Sequence, residues 1–182
     1  MLASPAPMTA AELLIRQPSD KRSELIAGRM VVREPAGLHH GGVAAQLLIA
    51  VGSHVARERL GRVVAAETGF TLRRNPDTVR AADVAFIRAD RWPAAQTTGF
   101  GAIAPDLVAE VLSPGDRERD VQAKVADWLT AGTLLVWIID PIGRVVRVYR
   151  PDASVTTVVV TDELNGESVL PGFVMRVSEL FE

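Results

Sequence analysis

Two acidic residues interrupt apolar, strand-like runs in the middle of the chain. Asp83 stands within residues 82–87 and Glu110 within residues 107–112. Burying a carboxylate in such a run is unfavourable unless it is paired or bound to a cation. On neighbouring strands the two would repel each other unless a cation or a shared proton lies between them, and Mg²⁺ takes oxygen ligands of this kind. The alternative is that each carboxylate lies at a strand end beside water or an arginine.

A lysine lies on the apolar face of a helix predicted over residues 120–131. The apolar stripe of that helix consists of Val121, Val125, Trp128 and Leu129. Lys124 follows Val121 by three positions and precedes Trp128 by four, so it shares this stripe. It either extends along the helix to solvent or points at the two carboxylates and neutralises them. Aspartate, glutamate and lysine directed at one place predict metal-dependent phosphodiester hydrolysis.

Composition limits the other chemistry that is open to the chain. Its 182 residues correspond to about one domain and are 48% hydrophobic and 23% charged, which is ordinary for a globular protein. Cysteine is absent, so disulfide scaffolds, zinc fingers and thiol nucleophiles are excluded. The net charge of −2 argues against a polybasic protein but leaves room for a local basic groove. Without a leader-like or membrane-spanning apolar run, we expect a cytoplasmic protein and no membrane partner.

The elements that position these residues are predicted to form a mixed sheet with helices packed on it. Thr9 and Glu12 have the spacing of a capping box, and Ala27 and Gly28 form a hairpin turn. After a loop over 35–42, the predicted order is a helix over 43–60, strands over 63–72, 82–87 and 107–112, a helix over 117–131 capped by Asp116, and a buried strand over 134–140. A β-meander over 145–149, 155–161 and 168–170 follows. We expect a disordered tail over 1–8 and a single domain over 9–182.

Several blocks of this sequence resemble the Uma-type family of proposed bacterial restriction endonucleases, a branch of the PD-(D/E)XK nuclease superfamily. The matching blocks are residues 23–31 (SELIAGRMV), 40–43 (HGGV), 80–86 (RAADVAF), 104–114 (APDLVAEVLSP) and 137–141 (WIIDP), together with Asp120 and Lys124. The resemblance covers about residues 9–182. In three positions the chain departs from the family pattern without losing a catalytic group: Ala82 replaces the usual proline, Ala27 stands where the family has aspartate in the opening hairpin, and Trp128 replaces the more usual tyrosine, which we interpret as a packing change.

The resemblance implies a restriction-endonuclease-like αβββαβ core with its active site where two central strands diverge. Asp83 matches the motif aspartate and Glu110 the second acidic residue. Leu112 stands where the superfamily more often has lysine, and the resemblance transfers that role to Lys124. On this basis Asp83, Glu110 and the carbonyl of Val111 would hold Mg²⁺ (or Mn²⁺), and Lys124 would orient the attacking water and stabilise the developing charge.

Other residues form a second set of candidates. Glu67 could join the acidic cluster or bind a second metal ion, or have no such role. His40 could contact DNA, or only cap or pack the long helix, and Glu24 could pack against Lys124 or be an exposed hairpin residue. The arginines expected to contact DNA phosphates, unless they lie in a solvated loop, are Arg73, Arg74 and Arg80.

The remaining expectations concern the partners of the protein and an alternative function. The apolar run over 155–160 and the exposed edges of the meander predict a homodimer. Residues 99–104 fit a dinucleotide-binding glycine pattern, but Pro105 opens a strand rather than a helix, so we expect no nucleotide cofactor. We therefore expect a DNA endonuclease. The alternative is a non-catalytic module that keeps the nuclease fold and binds nucleic acid or protein, and the acidic net charge favours it.

Overall fold

The computed structural model describes residues 6–18, 22–94 and 98–182 of the chain. Its α-helices are α1 (Ala10–Arg16), α2 (Leu38–Glu58) and α3 (Glu118–Thr130). Its strands are β1 (Arg22–Ile26), β2 (Arg29–Arg33), β3 (Gly61–Ala65), β4 (Gly69–Arg73), β5 (Thr78–Ala81), β6 (Val84–Arg88), β7 (Leu107–Val111), β8 (Leu135–Asp140), β9 (Val145–Tyr149), β10 (Val155–Val159), β11 (Glu163–Asn165) and β12 (Val174–Arg176). Short 3₁₀ helices cover Ala89–Arg91 and Val177–Phe181.

A six-stranded mixed sheet forms the centre of the molecule, in the order β10-β9-β8-β7-β6-β3. Strands β7 and β8 are parallel, and the other neighbours are antiparallel. Along the chain, α2, β3, β6, β7, α3 and β8 follow the expected αβββαβ order, and β9 and β10 extend the sheet at one edge. The predicted fold class is therefore confirmed. None of the helices in the described ranges is long and apolar enough to cross a membrane.

The two long helices cover opposite faces of this sheet. On one face, Leu47 and Val51 of α2 belong to the same buried cluster as Phe86 of β6 and Ala109 of β7. On the other face, Val125 and Trp128 of α3 cluster with Ala85 and Val108. Successive strand residues point to opposite faces, so β7 is apolar almost throughout because both of its faces are buried. The same alternation places Glu110 on the α3 side, together with Val108.

A second, four-stranded antiparallel sheet has the order β2-β1-β5-β4. Leu13 of α1 packs against Leu25 and Val79 on one face of it. On its other face the ring of Phe70 meets Trp128 of α3 edge-on, with ring centroids 5.9 Å apart. Helix α3 therefore contacts both sheets, and residues of the small sheet can reach the same space as residues of the large one.

The single strand predicted over residues 63–72 is wrong, because the chain turns in its middle. Glu67 has a left-handed φ of 72° and separates β3, in the large sheet, from β4, in the small one. At Gly69, the first residue of β4, an added Cβ would lie 2.4 Å from the ring of Phe100. An alternating apolar pattern continues across the turn, which is why the sequence did not reveal it. Strand β5, which lies between residues 63–72 and the predicted strand over 82–87, was not predicted.

Smaller differences concern the ends of elements. Helix α2 begins at Leu38, inside the expected loop. Asp116 does not cap α3 but accepts a hydrogen bond from the backbone N–H of Ser113, and Arg117 is the N-cap residue. Residues 168–170 form a turn, and β11 pairs with β12 instead. Met8 donates its N–H to the carbonyl of Gly28, so the packed chain includes the last residue of the expected tail; residues 1–5 of that tail lie outside the described ranges.

Candidate active site

Asp83 lies where β6 and β7 separate. The ladder between these strands pairs Phe86 with Leu107 and ends at Val84 opposite Ala109. Beyond that point the N–H of Val111 donates to Oδ2 of Asp83 at 2.9 Å, so a side chain replaces the next ladder bond. We had expected Asp83 to lie inside this strand, but it is the residue before β6. Its carboxylate thus lies at the diverging ends of the two central strands.

Glu110 is buried between β7 and α3. Its Oε2 accepts a hydrogen bond from Nζ of Lys124 at 2.8 Å, and its Oε1 accepts one from Nε1 of Trp128 at 2.9 Å. Lys124 and Trp128 are four residues apart and so lie on one face of the helix. Interpreting Trp128 as a packing residue was therefore incomplete, because its indole N–H also orients the glutamate.

Lys124 faces the sheet and not the solvent. Besides Glu110, its Nζ lies 2.9 Å from the carbonyl oxygen of Ala81 and 3.4 Å from Oε1 of Glu24. An ammonium group has three protons, and these three acceptors surround it. Burial lowers the pKa of Lys124, but Glu110 and Glu24 raise it by more, so the net direction is upward. Lys124 is therefore a fixed positive charge at neutral pH.

The two carboxylates of the site have opposite pKa shifts. The pKa of Glu110 is raised to about 7: burial is the largest cause, the charge of Asp83 acts in the same direction, and Lys124 opposes both. Burial also acts to raise the pKa of Asp83, but the hydrogen bond from His40, the charge of Lys124 and the N–H of Val111 together lower it. Asp83 is therefore the more acidic member of the pair, and ionisation of Glu110 is the less favourable of the two.

His40 and Arg22 approach Asp83 from two other elements. Nε2 of His40, in the first turn of α2, lies 3.2 Å from Oδ2 of Asp83, and the pKa of His40 is raised chiefly by this hydrogen bond. Nη2 of Arg22, in β1, lies 3.4 Å from Oδ1. We did not select Arg22 from the sequence. The available signal was its position two residues before Glu24, which places both side chains on one face of the strand.

Arg80 is not available to DNA in this structure, contrary to our expectation. Its side chain is 2% exposed, donates to Oε2 of Glu24 at 3.0 Å and forms a forked contact with Oδ2 of Asp127, with Nη2 at 2.7 Å and Nε at 2.9 Å. Glu24 also accepts the N–H of Ala81 at 3.1 Å. Because Asp127 is three residues after Lys124 on α3, this buried network joins the helix to the small sheet. Arg80 points inward because β5 is a strand of that sheet, which the sequence did not reveal.

The remaining sequence candidates lie outside the cluster. Glu67 is in the turn between the sheets, with an exposed side chain, and its Oε1 is 4.0 Å from Nε of Arg22. Arg73 donates to Oγ1 of Thr78, and Arg74 pairs with Asp77 at 3.0 Å. Both arginines are exposed at the turn between β4 and β5.

The donor set around Asp83 and Glu110 suits a hard divalent cation. Among the described residues, no group of three or more histidine and acidic side chains is arranged to hold a metal ion. Mg²⁺ is commonly bound by only one or two carboxylates, with carbonyls, water and substrate oxygens completing its shell. The raised pKa of Glu110 reflects a negative charge that a cation would stabilise. The carboxylates of Asp83 and Glu110 are thus oxygen donors of the kind that Mg²⁺ or Mn²⁺ binds.

Comparisons with known proteins bear on the fold and the family of the chain. A crystal structure described as that of a "putative nuclease belonging to DUF820" from Anabaena variabilis ATCC 29413 has a TM-score of 0.85 and 23% sequence identity, over 96% of this chain and 98% of that one. At this identity the similarity shows the fold. No curated protein matches the chain.

The sequence profile of the Uma2 family, described as "Putative restriction endonuclease", matches residues 10–178. That range includes α1 to α3, all twelve strands and every residue of the site. The resemblance seen in the sequence is thus confirmed, and the chain belongs to the Uma2 family of nuclease-like proteins.

Proposed function

We propose that the protein is a Mg²⁺-dependent endonuclease that hydrolyses phosphodiester bonds of DNA. One observation carries the proposal: a charged lysine is held 2.8 Å from a buried glutamate, beside an aspartate at the point where two central strands diverge. The family match and the nuclease-like fold support it. An ion pair that only stabilised the fold would not need a second carboxylate whose charge raises the pKa of the first.

The proposed roles follow from the contacts. Asp83, Glu110 and the carbonyl of Val111 would hold the metal ion, which when bound supplies positive charge and Lewis acidity at the scissile phosphate. Lys124 stays protonated, orients the attacking water and stabilises the negative charge that develops on the phosphate oxygens.

Glu24 and His40 would position these groups. Glu24 is a second carboxylate beside the ammonium of Lys124, and it is itself held by Arg80 and the N–H of Ala81. His40 donates to Asp83 and favours its ionised form. Neither residue needs to touch the substrate for this role. We give Glu67 no role in the reaction, because its exposed side chain lies in the turn between the sheets, 4.0 Å from Arg22.

The proposed substrate is DNA, the proposed location is the cytoplasm, and the proposed assembly is a homodimer. With a net charge of −2, binding must depend on a local group of cations, so its affinity should fall steeply with salt. Arg73 and Arg74 are exposed and remain proposed backbone contacts. Strand β10 is an outer strand of the large sheet and exposes Val155 and Val159, which is the basis for proposing that two copies pair there.

Cleavage of supercoiled plasmid DNA tests the proposal. The wild type should nick it in millimolar Mg²⁺ or Mn²⁺ and stop when EDTA is added. Asp83→Asn should lose this activity, whereas Asp152→Asn, in the exposed turn between β9 and β10, should keep it. Equal activity in EDTA, or an active Asp83→Asn protein, would contradict the proposal.

The rival is a binding module without catalysis. It is favoured by the closed set of ion pairs, in which Asp83 contacts both His40 and Arg22. On that reading the purified protein would bind DNA or a protein partner, and neither Mg²⁺ nor Mn²⁺ would produce cleavage.

A further inference from the structure

Two arginines lie opposite each other in the first hairpin, beside the candidate site. Arg22 of β1 is the cross-strand partner of Arg33 of β2. Directly opposed residues in an antiparallel pair have Cβ atoms roughly 5 Å apart, and like charges at such positions are destabilising. The juxtaposition therefore needs nearby negative charge to be tolerated.

The site carboxylates supply only part of that charge. Nη2 of Arg22 is 3.4 Å from Asp83, and Nη2 of Arg33 is 3.8 Å from Oε2 of Glu24. Close charge-assisted hydrogen bonds are about 2.7–2.9 Å long, as in the pair of Arg80 with Asp127 at 2.7 Å. The two hairpin arginines are thus near the carboxylates without being locked onto them, and their side chains are 27% and 42% exposed.

Neutralising the site does not require both arginines. Glu24 already accepts Arg80 at 3.0 Å and has Lys124 at 3.4 Å, so Arg33 adds positive charge to a carboxylate that is already paired. Arg22, Glu24 and Arg33 share one face of the hairpin, because cross-strand partners and alternate residues point the same way. Two guanidinium groups that are not locked onto a carboxylate therefore face the same space as Lys124.

We propose that Arg22 and Arg33 form a pair that binds a backbone phosphate of the nucleic acid next to the reacting one. The inference rests on the proposed function and adds residues that Arg73, Arg74 and Arg80 do not account for. A phosphodiester has two non-bridging oxygens and one negative charge, and guanidinium forks match that geometry. A phosphate bound here would also relieve the repulsion between the two arginines.

The test measures binding of a fluorescein-labelled DNA duplex by anisotropy, in Mg²⁺ and over a range of salt. The Lys124→Met background is used so that the duplex survives the titration. Arg22→Gln and Arg33→Gln should each weaken binding several-fold and reduce the slope of log Kd against log salt by about 1. Arg22→Lys and Arg33→Lys should retain the slope, because they retain the charge.

Arg88→Gln is the matched control. Arg88 is 45% exposed, its Nε lies 3.6 Å from the buried Asp106 and its guanidinium donates to the exposed Asp90, but it lies at the other end of β6 from Asp83. Its substitution should leave the salt slope unchanged. If the hairpin variants bind DNA as this control does, the inference is wrong, whether or not the wild type cleaves DNA.

Two further outcomes are decisive. If Arg22→Gln does not fold, as judged by its melting curve, the more exposed Arg33→Gln alone decides between the two results. If the wild type neither binds nor cleaves DNA in Mg²⁺, the proposed function fails and this inference fails with it. Normal cleavage by the wild type with unaltered binding by Arg33→Gln removes only the inference.

Discussion

Strand β7 has a buried carboxylate near each end, and the two carboxylates have different partners. Asp106, just before the strand, is fully buried and accepts the N–H of Arg88 at 2.9 Å and Nη1 of Arg91 at 2.7 Å. Nε of Arg88 lies 3.6 Å from the same carboxylate. Here one buried negative charge meets a backbone donor, Arg91 and, at a longer distance, Arg88, which also pairs with the exposed Asp90 at 3.1 Å. A buried charge needs such partners to be stable.

Around Glu110, four residues later, the carboxylates outnumber the cations. Lys124 is its cationic partner, and that ammonium is shared with Glu24, while the charge of Asp83 acts on the same glutamate. The pKa of Glu110 is consequently raised to about 7. Burial alone therefore does not identify a functional carboxylate. The ratio of acids to cations around it distinguishes the two ends of one strand.

The largest expected effect comes from removing the cation at the Glu110 end. Lys124→Met keeps the length of the side chain and removes its charge. The protein should fold and still bind metal and DNA, while its cleavage rate should fall by roughly 10²-fold or more, the scale for one positioned charge-stabilising group. Single-turnover cleavage of a labelled duplex measures this. A Lys124→Met protein that cuts at the wild-type rate would refute the catalytic role.

The corresponding change at the Asp106 end should affect stability and not catalysis. Arg91→Met removes the closest cation from a fully buried aspartate, which costs about 3 kcal/mol in typical buried pairs. Urea unfolding should show this loss, and cleavage per folded molecule should stay at the wild-type rate at a temperature where the variant is native. A large loss of cleavage by the folded variant would erase the distinction between the two ends.

The sequence predicted this contrast only in part. The positions of Asp83, Glu110 and Lys124 could be anticipated, because a charge inside an apolar strand or stripe conflicts with a local pattern. Of their partners, Glu24 was named as a possible contact of Lys124, but Arg22 was not named at all. Arg22 reaches Asp83 through the pairing of separate segments, and such contacts leave no trace in local periodicity.

Arg80 is a second residue whose surroundings could not be predicted from local patterns. The core order of helices and strands was predictable from alternation and helical spacing. The second sheet was not, because the turn at Glu67 interrupts no apolar pattern and β5 is only four residues long. Without that sheet Arg80 looked like a loop residue, whereas with it the side chain points into the core toward Glu24 and Asp127.

A divalent cation should stabilise the Glu110 end specifically. Binding to the native state alone adds about 2.7 kcal/mol at a concentration 100 times Kd. Adding Mg²⁺ or Mn²⁺ to protein stripped with EDTA should therefore raise its Tm, and Asp83→Asn should lose most of this response. Arg91→Met should retain it from a lower starting Tm. An unchanged wild-type Tm, together with no metal binding by calorimetry, would argue against a metal site between Asp83 and Glu110.

The smallest effect is expected from Glu24, the second carboxylate on Lys124. Glu24→Gln keeps one oxygen acceptor, for either Arg80 or the N–H of Ala81, replaces the other oxygen with an amide NH₂ group, and removes a negative charge 3.4 Å from Nζ of Lys124. That charge is one of the causes that raise the pKa of Lys124. The variant should therefore lose the protonated lysine at a lower pH than the wild type.

This gives a signature that a merely structural role for Glu24 would not produce. The alkaline limb of the pH–rate profile should move to lower pH, with a loss of rate of roughly tenfold or less near neutrality. Glu118→Gln is the matched control, because Glu118 is also on α3 but pairs with Arg147 at the exposed face, and its profile should keep the wild-type alkaline limb. A Glu24→Gln enzyme that is slower at every pH by the same factor would show that Glu24 only supports the fold.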